Sequence, residues 1–86
     1  MTIQQCMYVT KIAEYGSFNE AAKQLFVAQS SLSVSVRSLE QELNIKIFER
    51  AGNGIYLTNE GAEFLRYARQ IVEQSEFIFN RYSNDN

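Results

Sequence analysis

The chain has 86 residues, no proline, four glycines and 45% hydrophobic residues, enough for one small domain around one core. Its formal charge is −2, it contains no histidine, and Cys6 is its only cysteine, which excludes an internal disulfide. With the usual general bases, nucleophiles and metal ligands nearly absent, no catalytic residue, no metal and no cofactor is expected.

The ten carboxylates are scattered and show no metal-ligand spacing. No apolar run is long enough to span a bilayer, and the N-terminus has no signal-peptide pattern. A cytoplasmic protein without membrane contact is the expectation.

The first segment, from Ile3 to about Tyr15, places Ile3, Cys6, Val9, Ile12 and Ala13 on one helical face, with Lys11 and Glu14 outside. Gly16 ends it, as glycine does just past a helix C-terminus. Ser17-Phe18-Asn19-Glu20 then fits a capping box, in which the cap is worth about 1 kcal/mol. A short second helix runs to about Leu25 with Ala21, Ala22 and Leu25 inward, and its paired alanines suit a close helix crossing. Phe26-Val27-Ala28 connects it to a third helix, Gln29 to Leu43.

That third helix carries an apolar stripe at Leu32, Val36, Leu39 and Leu43. Its opposite face holds Ser30, Val34, Arg37 and Gln41, flanked by Ser33 and Ser38. Solvent-facing helix surfaces normally carry Glu, Lys and Arg, which are better helix formers than serine. Short hydroxyl side chains let a backbone approach another surface closely and offer hydrogen bonds without bulk, which suits a groove. A helix that merely contains many serines stays open as the plainer reading. Two short helices joined by a tight turn, the second with a polar outer face, make a helix-turn-helix; a generic helical bundle is the alternative.

Past Leu43 the period changes. Ile45, Ile47, Ile55 and Leu57 alternate with Lys46 and Tyr56, as half-buried strands do, around Ala51-Gly52-Asn53-Gly54. Asn-Gly is the strongest short hairpin signal. Phe48 fixes this hairpin to the core, and Glu49 and Arg50 lead out to its tip. A hairpin directly after a helix-turn-helix makes a wing. Thr58 then caps a last helix of about 25 residues, ending near Tyr82 before a polar, frayed tail. The predicted fold is mainly α: a winged helix-turn-helix of three helices and a two-stranded β-hairpin wing over residues 1–58, then a long C-terminal dimerisation helix within residues 59–86.

In the last helix Gly61, Leu65, Ala68, Val72, Ser75, Phe79 and Tyr82 recur at alternating four and three, a heptad-like seam. Phe64, Tyr67, Ile71 and Ile78 form a second stripe, and Phe77, Ile78 and Phe79 in succession leave almost no polar face. One helix cannot use both stripes against its own small domain, so a homodimer is expected through Leu65, Ala68, Val72, Phe79 and Tyr82.

The charge is unevenly placed. Residues 1–22 carry Lys11 against Glu14 and Glu20, a net −1. Residues 23–58 carry Lys23, Arg37, Lys46 and Arg50 against Glu40, Glu42 and Glu49, a net +1. Residues 59–86 carry Arg66, Arg69 and Arg81 against Glu60, Glu63, Glu73, Glu76 and Asp85, a net −2. The winged unit is thus weakly basic, and the acid collects in the last helix.

Several elements in order carry a resemblance: Ala13-Glu14 with Gly16-Ser17-Phe18, Ala21-Ala22 and Leu25, then Val27-Ala28-Gln29-Ser30-Ser31-Leu32-Ser33, Val36-Arg37 and Leu39-Glu40. Leu43, Phe48-Glu49-Arg50, Leu57-Thr58 and Gly61 complete the set. Without gaps from Ile3 to about Tyr82, the chain resembles the N-terminal DNA-binding domain of LysR-type transcriptional regulators. The resemblance implies a winged helix-turn-helix followed by a linker helix through which two chains pair on double-stranded DNA. In that family a larger effector-binding domain follows. A small-molecule effector is therefore implied only for a chain that carries it, and an excised domain is expected here, with a natural stand-alone version as the alternative.

This chain departs from the family pattern at four places. Ser30 stands where proline is frequent, and Val34 and Ser35 stand where Arg, Lys or Gln are frequent. The wing tip is Asn53-Gly54 instead of basic, and Ala28 replaces a common serine cap, leaving Ser30 or Ser31 for the first N–H groups.

The expected interface follows from this. The helix from Gln29 enters the major groove with Gln29, Ser30, Ser33, Val34 and Arg37 toward bases and nearby phosphates. Glutamine can pair with adenine, arginine with guanine, and Val34 can meet a thymine methyl. Ser17, Ser31 and Arg50 are phosphate candidates, Ser17 being equally well only a cap; Lys46 reaches only DNA backbone, and Asn53 lies at the minor groove. The acidic total (pI ≈ 5.0) favours the competing reading, a winged-helix protein-interaction module, but the serine-rich groove face and the family resemblance outweigh it.

Overall fold

A computed structural model describes residues 1–52 and 54–83 of the chain. Three helices, α1 (Ile3–Tyr15), α2 (Phe18–Leu25) and α3 (Gln29–Leu43), lead into a hairpin of β1 (Phe48–Ala51) and β2 (Gly54–Leu57), and α4 (Asn59–Ser83) closes the chain. This is the winged helix-turn-helix with a long last helix that the hydrophobic periods predict.

Local chemistry sets each boundary. Thr2 and Gln5 form a reciprocal capping box at the start of α1: Gln5 N donates to Thr2 Oγ1 (3.0 Å) and Thr2 N to Gln5 Oε1 (2.9 Å). At the start of α2 only half of the expected box is made. Glu20 N donates to Ser17 Oγ (3.1 Å), while the Glu20 carboxylate accepts from Gln24 Nε2 (3.2 Å) one turn along. The three helices end on left-handed residues: Gly16, Phe26 (φ 58°) and Asn44 (φ 56°). Glycine and asparagine accept that conformation readily, whereas an aromatic residue is strained in it. Phe26 is also 94% exposed, so it contributes nothing to the core.

The core combines Cys6, Tyr8, Val9 and Ile12 of α1, Ala21 and Ala22 of α2, and Leu32, Val36 and Leu39 of α3. Ile47 and Phe48 join it from the hairpin side, and Phe64, Leu65 and Ala68 from α4. Ile3, placed inside by the sequence, is 55% exposed, and Tyr8 is buried instead. A run of three-residue steps drifts about 60° per step on a helix, so a face that is buried at Ile12 has turned away by Ile3.

The hairpin differs from its predicted extent. Phe48 pairs with Leu57 and Arg50 with Ile55, so the strand starts at Phe48, and Ile45 and Ile47 precede it. The backbone at Ile47 is engaged elsewhere: its N–H donates to Glu40 Oε2 (2.7 Å) and its carbonyl accepts from Thr58 N (3.0 Å). Gly54 pairs with Ala51 as the first residue of β2, and the turn begins at Gly52 (φ 57°). The predicted contact residue Asn53 lies outside the described residues, as does the tail beyond Ser83.

Thr58 caps α4, its hydroxyl accepting from Gly61 N (2.8 Å) and donating to the Lys46 carbonyl. Gly61, Phe64, Leu65 and Ala68 are buried within the chain's own core, where α4 packs on α1. The first part of α4 therefore belongs to the winged unit, and Thr58 does not separate two cores. This also narrows the predicted pairing seam. Leu65 and Ala68 are covered inside one chain, whereas Phe79 and Tyr82 are 68% and 75% exposed and Val72 is half-buried. Seven turns carry α4 past the packed body, and the molecule extends 49 Å in its longest direction against 25 and 19 Å in the others.

Candidate nucleic-acid interface

The outward face of α3 is a row of small and uncharged groups. Gln29, Ser30, Ser31 and Val34 are exposed and Ser33 is half-buried; Ser30 and Val34 stand opposite the buried Leu32, Val36 and Leu39, Ser31 and Ser33 flank them, and Gln29 opens the first turn. Val34, at 59% exposure, is a surface residue as its position 180° from the core stripe requires. Gln29 Nε2 donates to Ser33 Oγ (2.9 Å), which holds the amide along the helix. Pairing of Gln29 with a base requires that bond to be exchanged.

Ala28 provides no side-chain cap, and neither Ser30 nor Ser31 supplies one. The first N–H groups of α3 consequently point out of the helix end unshielded by a side chain, with the positive end of the helix dipole behind them. Ser17, by contrast, already serves as the cap of α2. Of its two predicted roles, that is the one visible in the structure.

Arg50 is placed by aromatic packing. Strand alternation puts it on the same face of β1 as Phe48, and Phe48 meets Phe18 edge-on, with ring centroids 5.6 Å apart at 75°. The Arg50 guanidinium lies 5.4 Å from the centre of the Phe18 ring, a cation–π contact worth about 0.5–1 kcal/mol at an exposed site. A cation is thereby held where α2, α3 and the wing meet. It borders one hollow that contains Arg37 and Lys46, and another that contains Ser17, Gln29 and Gly52.

Glu40 organises this region from below. Its Oε2 accepts from both Ile47 N (2.7 Å) and Phe48 N (3.3 Å), tying the wing's first strand to α3. The sequence shows Leu39-Glu40 only as part of a pattern. A carboxylate on the flank of α3, eight residues before a strand, was the available signal for this role. Phe18 carries no such signal, since its partner Arg50 is distant in sequence.

Little here is suited to covalent chemistry. Burial pushes the Cys6 thiol above its ordinary value of 9.0, so it stays protonated and poorly nucleophilic at neutral pH. Among the described residues no group of three His, Cys, Asp or Glu is placed to hold a metal ion, and no helix is long and apolar enough to cross a membrane.

Comparison with known proteins gives a consistent result. Residues 3–62 match the family described as bacterial regulatory helix-turn-helix protein, lysR family. The chain is 38% identical over 72 residues to the HTH-type transcriptional regulator TfdT of Cupriavidus pinatubonensis, covering 84% of this chain and 32% of that protein. It is 39% identical over 64 residues to the regulator CitR of Bacillus subtilis, covering 74% and 22% respectively. The chain spans about a quarter of the length of the curated relatives it matches first. Among solved structures it is similar to the CbnR DNA-binding domain in complex with DNA (36% identity, TM-score 0.87, 94% of this chain and 93% of that one). It is also similar to the BenM DNA-binding domain in complex with catB site 1 DNA (31% identity, TM-score 0.86, 93% and 86%).

Proposed function

The chain belongs to the LysR family of bacterial regulatory helix-turn-helix proteins, and from that premise we propose that it binds double-stranded DNA as a homodimer, each copy laying α3 in a major groove. The observation that carries this reading is the outward face of α3. It is exposed, uncharged over its first half, and flanked by cations that α3 and the wing supply. Gln29, Ser30, Ser33 and Val34 meet base edges in this arrangement, through an amide, two hydroxyls and a methyl-bearing surface. Ser31, the unshielded N–H groups around it and Arg50 take phosphates.

Dimerisation supplies what a single weakly charged copy lacks. Val72, Phe79 and Tyr82, with the neighbouring Phe77 and Ile78, offer an apolar surface at the projecting end of α4 that a second copy would cover. The reading body then runs from residue 1 into the first half of α4, and the pairing arm is the remainder. An acidic arm and a weakly basic reading face also keep the dimer from holding random DNA tightly.

Nothing in this role requires catalysis, and its setting is the cytoplasm, where bacterial DNA lies. A small-molecule effector would bind outside residues 1–86, in a chain that carries a domain for it. The test is selection from random-sequence duplexes with the 86-residue chain, followed by gel shift. The expected pool carries one half-site repeated with two-fold symmetry. A chain that shifts no duplex at low salt would instead be a winged-helix module for protein contact.

A further inference from the structure

The two halves of α3 differ in chemistry. Gln29, Ser30, Ser33 and Val34 carry no charge, whereas Arg37, one turn further on, lines a hollow together with Lys46 and Arg50. Arg37 and Lys46 also border a second hollow, on the side toward Asn44. The two cations therefore flank the same stretch of surface, although they come from different segments.

Carboxylates stand nearby but do not neutralise them. Among the described residues, none of Arg37, Lys46 and Arg50 is in an ion pair, while two ion pairs do form elsewhere. Glu40 lines both hollows, yet its Oε2 is engaged by two backbone N–H groups of the wing. Glu49 borders the first hollow and is half-buried. Three cations left unpaired beside two carboxylates make a surface that wants an outside anion.

The shape of that surface selects the anion. Reading guanine takes one guanidinium presented flat to the O6 and N7 atoms on the groove floor, with no role for a second cation. Lys46 lies off the helix, on the shoulder between α3 and β1, and its ammonium acts as a point charge suited to phosphate. We infer that Arg37 and Lys46 close on one backbone phosphate of the operator, so that Arg37 anchors α3 and does not read a base. Arg50 takes a separate phosphate beside the wing. Sequence discrimination then rests on the uncharged first half of α3. This rests on the DNA-binding reading above.

The experiment uses the 86-residue chain with Arg37→Ala, Lys46→Ala and the double variant, each checked by thermal melting. Both side chains are exposed, so the melts should match wild type, and Arg37→Lys and Lys46→Arg serve as charge-retaining partners. Dissociation constants are measured on a selected operator and on a scrambled duplex over a range of salt. Each single variant should weaken both duplexes equally, by roughly 3- to 10-fold per half-site and so roughly 10- to 100-fold for the dimer. Because the pair serves one phosphate in each copy, the double variant should lower the salt slope of the dimer by about 2, where two separate phosphates per copy would lower it by about 4. Charge-retaining variants should recover most of the affinity. Loss of discrimination in Arg37→Ala, a changed base preference on reselection, or a slope that falls by about 4 or stays fixed would overturn the assignment. A wild-type chain that binds neither duplex refutes the DNA-binding reading itself, which separates the two failures.

Discussion

Replacing Gly61 by alanine should destabilise the domain, although alanine is the better helix former. A Cβ at this position would lie 2.8 Å from the carbonyl carbon of Ile47, 3.0 Å from its Cα, and closer still to its oxygen. Carbon atoms rest at about 3.5–4.0 Å, so α4 must retreat by roughly 1 Å or Ile47 must move. Ile47 has little freedom, being fully buried with its N–H held by Glu40 and its carbonyl by Thr58. Overpacking of this kind costs about 1–3 kcal/mol, and losing the Thr58 N–H bond adds about 1 kcal/mol. The gain in helix propensity returns only about 1 kcal/mol. The balance is a loss of about 1–3 kcal/mol, or roughly 4–24 °C in Tm for a domain of this size. Thermal and urea unfolding at fixed chain concentration measures it, with Gly54→Ala as the control, since that position is open and its φ is ordinary. A Gly61→Ala chain that melts at or above wild type would refute the reasoning.

Phe26→Asn should raise stability by about 0.5–1 kcal/mol, because asparagine tolerates the left-handed cap and no buried contact is lost; a lower Tm would show that the exposed ring supports the turn. Val34→Arg should leave the melting curve unchanged and shift the sequences recovered by selection, since Val34 faces outward on α3. A collapsed melt would place Val34 in the core after all. Phe79→Asp should turn a dimer into a monomer in sedimentation at micromolar concentration, and a monomeric wild type would remove the basis of that claim.

Helices were legible in the sequence because their determinants are local. Gly16, Ser17 and Thr58 mark boundaries within a few residues, and the stripe from Leu32 to Leu43 gives both the extent of α3 and its buried side. The start of the wing was not legible in this way. Alternation of Ile45 and Ile47 mimics a strand, yet the backbone there is bound by Glu40 and Thr58, partners that periodicity does not reveal. Two positions of the pairing seam, Leu65 and Ala68, were misplaced for a related reason. Leu65 and Ala68 fit a heptad, but a heptad does not say whether the neighbour is a second copy or α1 of the same chain. For the interface, the polar face of α3 was visible in outline. The grouping of Arg37 with Lys46, and the seat of Arg50 on Phe18, depend on how the wing folds back.

The close seating of Gly61 on Ile47 also bears on measurement along the double helix. Beyond the buried Ala68, α4 runs on to Ser83 as a lever arm of roughly 22 Å at about 1.5 Å per residue, its direction set by the seat of the helix on α1 and Ile47. An angular play of about 5° in that seat would swing the far end by roughly 2 Å, more than half of the 3.4 Å step between stacked bases. A side chain at the pivot would wedge it open, whereas bare backbone against backbone leaves little slack. In a dimer joined at the tips of these levers, the stiffness of that contact decides whether two half-sites are told apart from a pair spaced one base pair wider.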